Sequence, residues 1–136
     1  GNGRAFCSGM DLKAFARGED IGPLTTFIRE GCSKPLIAAG RLNLAQSAAL
    51  ISQSSLYIGL DSGPMHIAAL AGVPVAALFG PTHPERVGPW HVRHHILRAE
   101  GLSCLECRKR HCSHLSCMKG ISVSMVAEAA ASLLEA

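Results

Sequence analysis

The sequence predicts an α/β protein built on a parallel sheet covered on both faces. Two short runs, LYIGL at Leu56–Leu60 and VAALF at Val75–Phe79, are apolar throughout and lack the polar alternation of a half-solvated strand. One helical stretch separates them, and a strand–helix–strand order makes neighbouring strands parallel, with right-handed crossovers. Aromatic residues are only 4% of the chain, and Ala, Leu and Ile take their place, as in helix-covered sheets.

The elements follow in order from residue 36. Leu36–Ala39 is a short apolar run after Pro35. Asn43 suits an N-cap for a helix running to about Gln53, with Leu44, Ala48 and Ile51 on one face. After LYIGL, Asp61-Ser62-Gly63 is a turn, and Pro64 fits the first position of a helix over Met65–Ala71. Gly72 ends that helix and Pro74 prevents its continuation. The Gly- and Pro-rich stretch Gly80–Trp90 reads as loop, His94–Arg98 as a short strand, and Ser122 opens a final Ala-rich helix to about Leu134. Residues 1–35 read differently. They hold a Gly-rich turn, a helix capped by Asp11 from Leu12, a loop over Gly18–Pro23 and a helix over Leu24–Cys32, with no buried strand of their own.

With 136 residues, 48% apolar and 17% charged, the chain has the length and composition of one folded domain, or of parts of two. No apolar run approaches the roughly 20 residues of a membrane crossing, and no export leader is visible, so the expectation is a cytoplasmic chain that does not span a membrane. A net charge of +3 is too mild to argue for a nucleic-acid partner, and none is expected. The charge is localised, however. Seven basic residues stand against three acids between Glu85 and Lys119, and six of the seven histidines lie between His83 and Lys119. Such a stretch either solvates a surface or faces an anionic ligand.

The turn Asp61–His66 carries the sharpest chemistry. In open parallel sheets ligands sit beyond the carboxyl ends of strands, where helix N-termini point. Ser62 and Gly63 supply backbone N–H groups there, and the helix dipole adds partial positive charge, a combination suited to a phosphate or diphosphate. Asp61 would repel phosphate and is better placed for sugar or ribose hydroxyls, while His66 in the first turn can donate to the anion. The plainer alternative is that Asp61 only caps and His66 only packs. The segment FGPTHPERVGPW leaves the next strand on the same sheet edge, so Thr82, His83 and Arg86 form a possible anion-contacting loop, or else an ordered surface connection.

These residues carry a resemblance. DSGPMH, then AALAGVP, then FGPTHPERVGP together resemble the C-terminal donor-binding domain of the lipopolysaccharide heptosyltransferases, glycosyltransferase family 9, over residues 40–136. The resemblance implies a Rossmann-like domain of a GT-B fold that binds an ADP-heptose-type donor. The sugar would be transferred to a lipid-linked acceptor at the cytoplasmic face of the inner membrane. Carried onto this sequence, Asp61, Ser62, Gly63 and His66 would contact the donor's diphosphate and sugar, and Leu42 would pack near the adenine. Arg41 belongs to the same loop as Leu42 with no assigned role. Direct displacement at the anomeric carbon needs no metal if the helix end and basic groups neutralise the leaving group. The family's acceptor domain, catalytic base and phosphate-binding Lys lie upstream of the matched stretch. The expectation is therefore a nucleotide-sugar-binding half, with no catalytic residue of its own, that is inactive without a partner chain or acceptor domain.

Residues 1–39 resemble a different family. GNGRAFCSGMDLKAF and FIREGCSKPLIAA are similar to the middle of an enoyl-CoA hydratase/isomerase (crotonase) chain, in which Met10 would offer one oxyanion-hole N–H. Its second donor and its carboxylates have no counterpart here, so this incomplete crotonase-like segment is expected to be a non-functional remnant. The two patterns meet at Pro35–Arg41, which implies a chimera.

The last feature is C-x2-C-x4-C-x4-C: Cys104, Cys107, Cys112 and Cys117. Four thiolates at about 2.3 Å would hold a structural zinc, with an iron–sulfur cluster a further occupant of the same ligands. Disulfides and reduced packing thiols are the other readings of the spacing. A zinc-binding interaction module and a remnant of a CoA-thioester enzyme are thus the alternatives to the glycosyltransferase reading.

Overall fold

A computed structural model describes residues 5–8, 42–109 and 111–135. Its elements are β1 (Ala5–Ser8), α1 (Leu44–Ser52), β2 (Leu56–Leu60), α2 (Gly63–Leu70), β3 (Val75–Leu78), α3 (Pro84–Val87), β4 (His94–Leu97), α4 (Ser116–Lys119) and α5 (Val123–Glu135). The strands form one sheet in the order β1-β2-β3-β4, each pair parallel. Gly59 pairs with Ala77, and Ala77 in turn with Ile96. The expected α/β architecture is present.

The absence of polar alternation in β2 and β3 has a direct cause: both faces of these strands are covered. Tyr57, Val75, Ala77 and Phe79 pack with Ile51 of α1 and Met65 and Ala68 of α2. Leu56, Ile58, Ala76 and Leu97 pack on the opposite face with Val126, Ala129, Ala130 and Leu133 of α5. Complete burial of side chains such as Phe79 and Ile51 stabilises by roughly 1.5–3 kcal/mol each. Along β2 the residues are buried up to Gly59, and Leu60 is exposed where the chain leaves the sheet.

Local sequence sets the helix ends. The Asn43 side chain accepts from the Gln46 N–H at 2.9 Å, and the Gln46 side chain accepts from the Asn43 N–H at 3.0 Å, a reciprocal capping box. After α2, Gly72 takes φ +75, a left-handed conformation that costs little without a Cβ, and the Val73 N–H returns to the Ala68 carbonyl at 3.0 Å.

Three elements differ from the sequence expectations. β1 lies in the segment read as strandless and pairs with Leu56–Gly59; only three of its four residues are apolar, and Gly3 and Gly9 stand close on either side, so turn signals outweighed it. Within the stretch read wholly as loop, Pro84–Val87 forms a helical turn: Pro84 stands where a missing N–H costs nothing, and the Arg86 and Val87 N–H groups reach the His83 carbonyl at 3.1 and 3.2 Å. Gly88 closes it, since a Cβ there would meet the Pro84 oxygen at 2.5 Å. α4 is likewise a single turn inside the cysteine-rich segment. Among the described residues no helix is long and apolar enough to cross a membrane.

Candidate functional site

Register places the ends of β2, β3 and β4 on one edge of the sheet. Leu60 lies opposite Leu78, and Leu78 opposite Leu97. The Asp61 N–H donates to the Leu78 carbonyl at 3.3 Å and the Phe79 N–H to the Leu97 carbonyl at 2.8 Å, so the three chains leave the sheet side by side.

At the end of β2, Ser62 is the N-cap of α2 in extended conformation, but its hydroxyl makes no capping bond and donates to the Leu60 carbonyl at 3.2 Å. The Met65 N–H already reaches the Ser62 carbonyl at 3.0 Å, whereas Pro64 has no N–H. The N–H groups of Ser62 and Gly63 thus stand at a helix start that no side chain caps, where the dipole carries partial positive charge. A Cβ on Gly63 would meet nothing within 4 Å, so the space beside this backbone is open. Asp61 is half-buried and His66, in the first turn, is exposed. The structure therefore brings Asp61, Ser62, Gly63 and His66 into one turn. Leu42 is half-buried beside the Asn43 cap of α1, the helix that shares a core with α2.

At the end of β3, Thr82 and His83 are half-buried and Arg86 is exposed on α3. His83 is already engaged: its Nδ1 lies 2.9 Å from Oε2 of Glu106. The other oxygen, Oε1, accepts from both Nη1 and Nη2 of Arg98, at 3.2 and 3.3 Å. The Arg108 N–H adds a bond to the Pro81 carbonyl at 2.9 Å. The cysteine-rich segment is thereby fastened to the loop after β3. Sequence reading did not find Glu106 or Arg98 as site residues. Glu106 is remote from His83 in the chain and adopts φ +66, a left-handed conformation that no glycine or asparagine announces.

The four cysteines are free thiols, and among the described residues no three of His, Cys, Asp and Glu gather closely enough to hold a metal ion. The zinc reading of Cys104, Cys107, Cys112 and Cys117 therefore finds no support among the described residues. Cys117 is buried on α4, with its sulfur 3.6 Å from where a Cβ on Gly80 would lie, while Cys107 is exposed. One thiol serves the packing and another faces solvent. The Cys112 thiol is held below its ordinary range, chiefly because its sulfur accepts hydrogen bonds from the backbone of Leu115 and His114. The Leu115 N–H lies 3.4 Å from that sulfur.

An open hollow of about 340 Å3 lies beside α3, lined by residues including Pro84, Glu85, Trp90 and His94, none of them from the Asp61–His66 turn. Met10, the oxyanion position of the crotonase-like reading, lies outside the described residues.

Comparison with known proteins shows the family. The family model for glycosyltransferase family 9 (heptosyltransferase) matches residues 24–118. The lipooligosaccharide heptosyltransferase 2 of Campylobacter jejuni serotype O:2 is 37% identical over 87 residues, which are 62% of this chain and 27% of that protein. The lipopolysaccharide heptosyltransferase 3 of Escherichia coli K12 is 43% identical over 65 residues, 46% of this chain and 19% of that one. A crystal structure of a family 9 glycosyl transferase from Veillonella parvula superposes with a TM-score of 0.65 at 30% identity, covering 98% of this chain and 36% of that one. The E. coli ADP-heptose lps heptosyltransferase II has the same fold, with a TM-score of 0.64 at 24% identity over 96% of this chain and 36% of that chain. The chain spans 27% and 19% of the two curated relatives.

The family model begins at residue 24, upstream of the boundary expected at residue 40, and the Veillonella structure matches almost the whole chain. The crotonase-like reading of residues 1–39, and the chimera it implied, are therefore not supported. With the family model matching residues 24–118, most of the chain and the whole of β2, β3 and the turns that follow them, this chain belongs to glycosyltransferase family 9, the heptosyltransferases.

Proposed function

We propose that this chain is the nucleotide-sugar-binding half of an ADP-heptose-type glycosyltransferase of lipopolysaccharide core synthesis, with residues 40–136 as its donor-binding domain. The observation that carries the reading is the start of α2. Two backbone N–H groups, from Ser62 and Gly63, stand at a helix terminus without a side-chain cap, at the carboxyl end of a central strand. A diphosphate there gains the dipole and two donors. His66 donates to the same anion, and Asp61, an acceptor when ionised, takes hydrogen bonds from sugar hydroxyls. Leu42 packs near the adenine. Thr82, His83 and Arg86 form the wall from the neighbouring strand.

In this reading the protein's contribution to transfer is leaving-group stabilisation. As the bond from the anomeric carbon to the diphosphate oxygen breaks, negative charge grows on the diphosphate, where the helix start and His66 receive it. No metal is required for that step. The acceptor, a lipid-linked core saccharide, and the base that deprotonates it belong to a partner domain or chain, and the site of action is the cytoplasmic face of the inner membrane.

Calorimetric titration with ADP and with AMP tests the reading. ADP is expected to bind weakly and AMP more weakly still, and Asp61→Ala or His66→Ala is expected to reduce ADP binding. Equal affinity for AMP and ADP would remove the diphosphate from the assignment.

A further inference from the structure

We infer that Glu106 is a positioning residue of the donor site: it holds the His83 ring with its proton on Nδ1, leaving Nε2 to accept a hydrogen bond from a hydroxyl of the bound sugar nucleotide. The inference rests on the donor-site reading above. An ionised carboxylate has no proton to donate, so the 2.9 Å contact requires the hydrogen to sit on Nδ1 of His83. In the neutral ring Nε2 is then a bare acceptor. Free imidazole side chains in water favour the opposite tautomer, so the arrangement is imposed by the fold.

The fold spends effort on it. Glu106 is fixed from its other oxygen by the Arg98 guanidinium, which stands just beyond β4. Its backbone takes φ +66 and that of Arg108 takes φ +54, left-handed conformations that are strained in residues with a Cβ. Arg108 repays part of this through its N–H bond to the Pro81 carbonyl, two residues before His83. An ordinary surface ion pair needs no such backbone. The cysteine-rich segment thus serves as the back wall of the loop after β3. The His83 side chain keeps 29% of its exposure, enough for a ligand to reach the ring.

The test uses the wild type, Glu106→Ala, Glu106→Gln and His83→Ala, each titrated with ADP and with ADP-glucose, and the His83 ring nitrogens observed by 15N NMR. Glu106→Ala should weaken binding roughly 5- to 30-fold, the loss expected when a buried or oriented hydrogen bond is removed. His83→Ala should do the same, and the double variant should be no weaker than either. Glu106→Gln, whose amide oxygen still accepts from Nδ1–H, should recover most of the loss. A loss confined to ADP-glucose assigns the hydroxyl to the hexose, and a loss with both ligands assigns it to the ribose. The wild-type ring should carry its proton on Nδ1 and revert to Nε2 in Glu106→Ala; should that variant not fold, His83→Ala and the Glu106→Gln spectrum decide. A wild-type ring protonated on Nε2, or undiminished binding in Glu106→Ala and His83→Ala while Asp61→Ala loses affinity, overturns this inference and leaves the donor site standing. No wild-type binding of either ligand at millimolar concentration overturns both.

Discussion

Gly120, at the end of α4, lies against Ala99 so closely that a methyl group on Gly120 would sit 2.6 Å from the Ala99 Cβ, and 3.2 Å from the Ser116 carbonyl oxygen. Ala99 is buried two residues beyond β4, so this contact sets how near the cysteine-rich segment returns to the sheet edge. Backbone on one side and a buried Cβ on the other leave little room to yield. Gly120→Ala should destabilise the fold by about 1–3 kcal/mol, the usual cost of overpacking, with Ala99→Gly in the same chain recovering part of it. Urea denaturation of the two variants checks this.

The N-terminus of α1 offers a contrasting test, because its stabilisation is local. Asn43→Ala removes the half of the capping box in which the Asn43 side chain accepts from the Gln46 N–H, leaves the Asn43 N–H to the Gln46 side chain, and should cost about 1 kcal/mol. Asn43→Asp, which can still accept the Gln46 N–H and adds charge favourable to the helix dipole, should retain the stability. Thermal melts of the two variants separate the outcomes.

Arg93 reaches from the start of β4 to the last turn of α5, where its Nη2 donates to the Leu133 carbonyl at 3.0 Å. The bond satisfies an end-of-helix carbonyl and places a cation at the negative end of the dipole. Arg93→Ala should lower stability by about 1 kcal/mol without changing ADP affinity, since it lies at the opposite end of the strands from Asp61. Paired denaturation and binding measurements test both parts.

Cys112 gives the pH dependence. Its thiol is held below the ordinary range by backbone hydrogen bonds, so near neutral pH more of it is thiolate than of an unperturbed thiol. Iodoacetamide should therefore modify Cys112 before the exposed Cys107, and the Cys112 rate should level off at a lower pH than that of a free thiol in solution. Cys117, buried on α4, should react last. Peptide mapping after timed alkylation reads this order, and uniform protection of all four cysteines, released by a chelator, would instead favour a bound metal.

What could be read from the chain follows the range of the forces involved. β2, β3 and α2 were legible because their signals are contiguous: apolar runs, a proline at the helix start and Gly72 with Pro74 at its end. The Asp61–His66 turn was legible for the same reason, since all its groups lie within one strand–turn–helix junction. The clamp of His83, Glu106 and Arg98 was not, because it depends on the path of a loop through left-handed positions at Glu106 and Arg108. The cysteine spacing carried a ligand pattern, yet Cys117 is used to pack behind Gly80. β1 was missed because its partner, β2, is some fifty residues away and its own four residues are too few to show a period.

Whether a diphosphate sits at the start of α2 can be read from amide chemical-shift mapping during an ADP titration. The Ser62 and Gly63 amides should move most, with smaller changes at His66 and along Thr82–Arg86, and Asp61→Ala should weaken the response. Changes centred on Trp90 and His94 beside α3 with Ser62 and Gly63 unmoved, or no change at all at millimolar ADP, would contradict that placement.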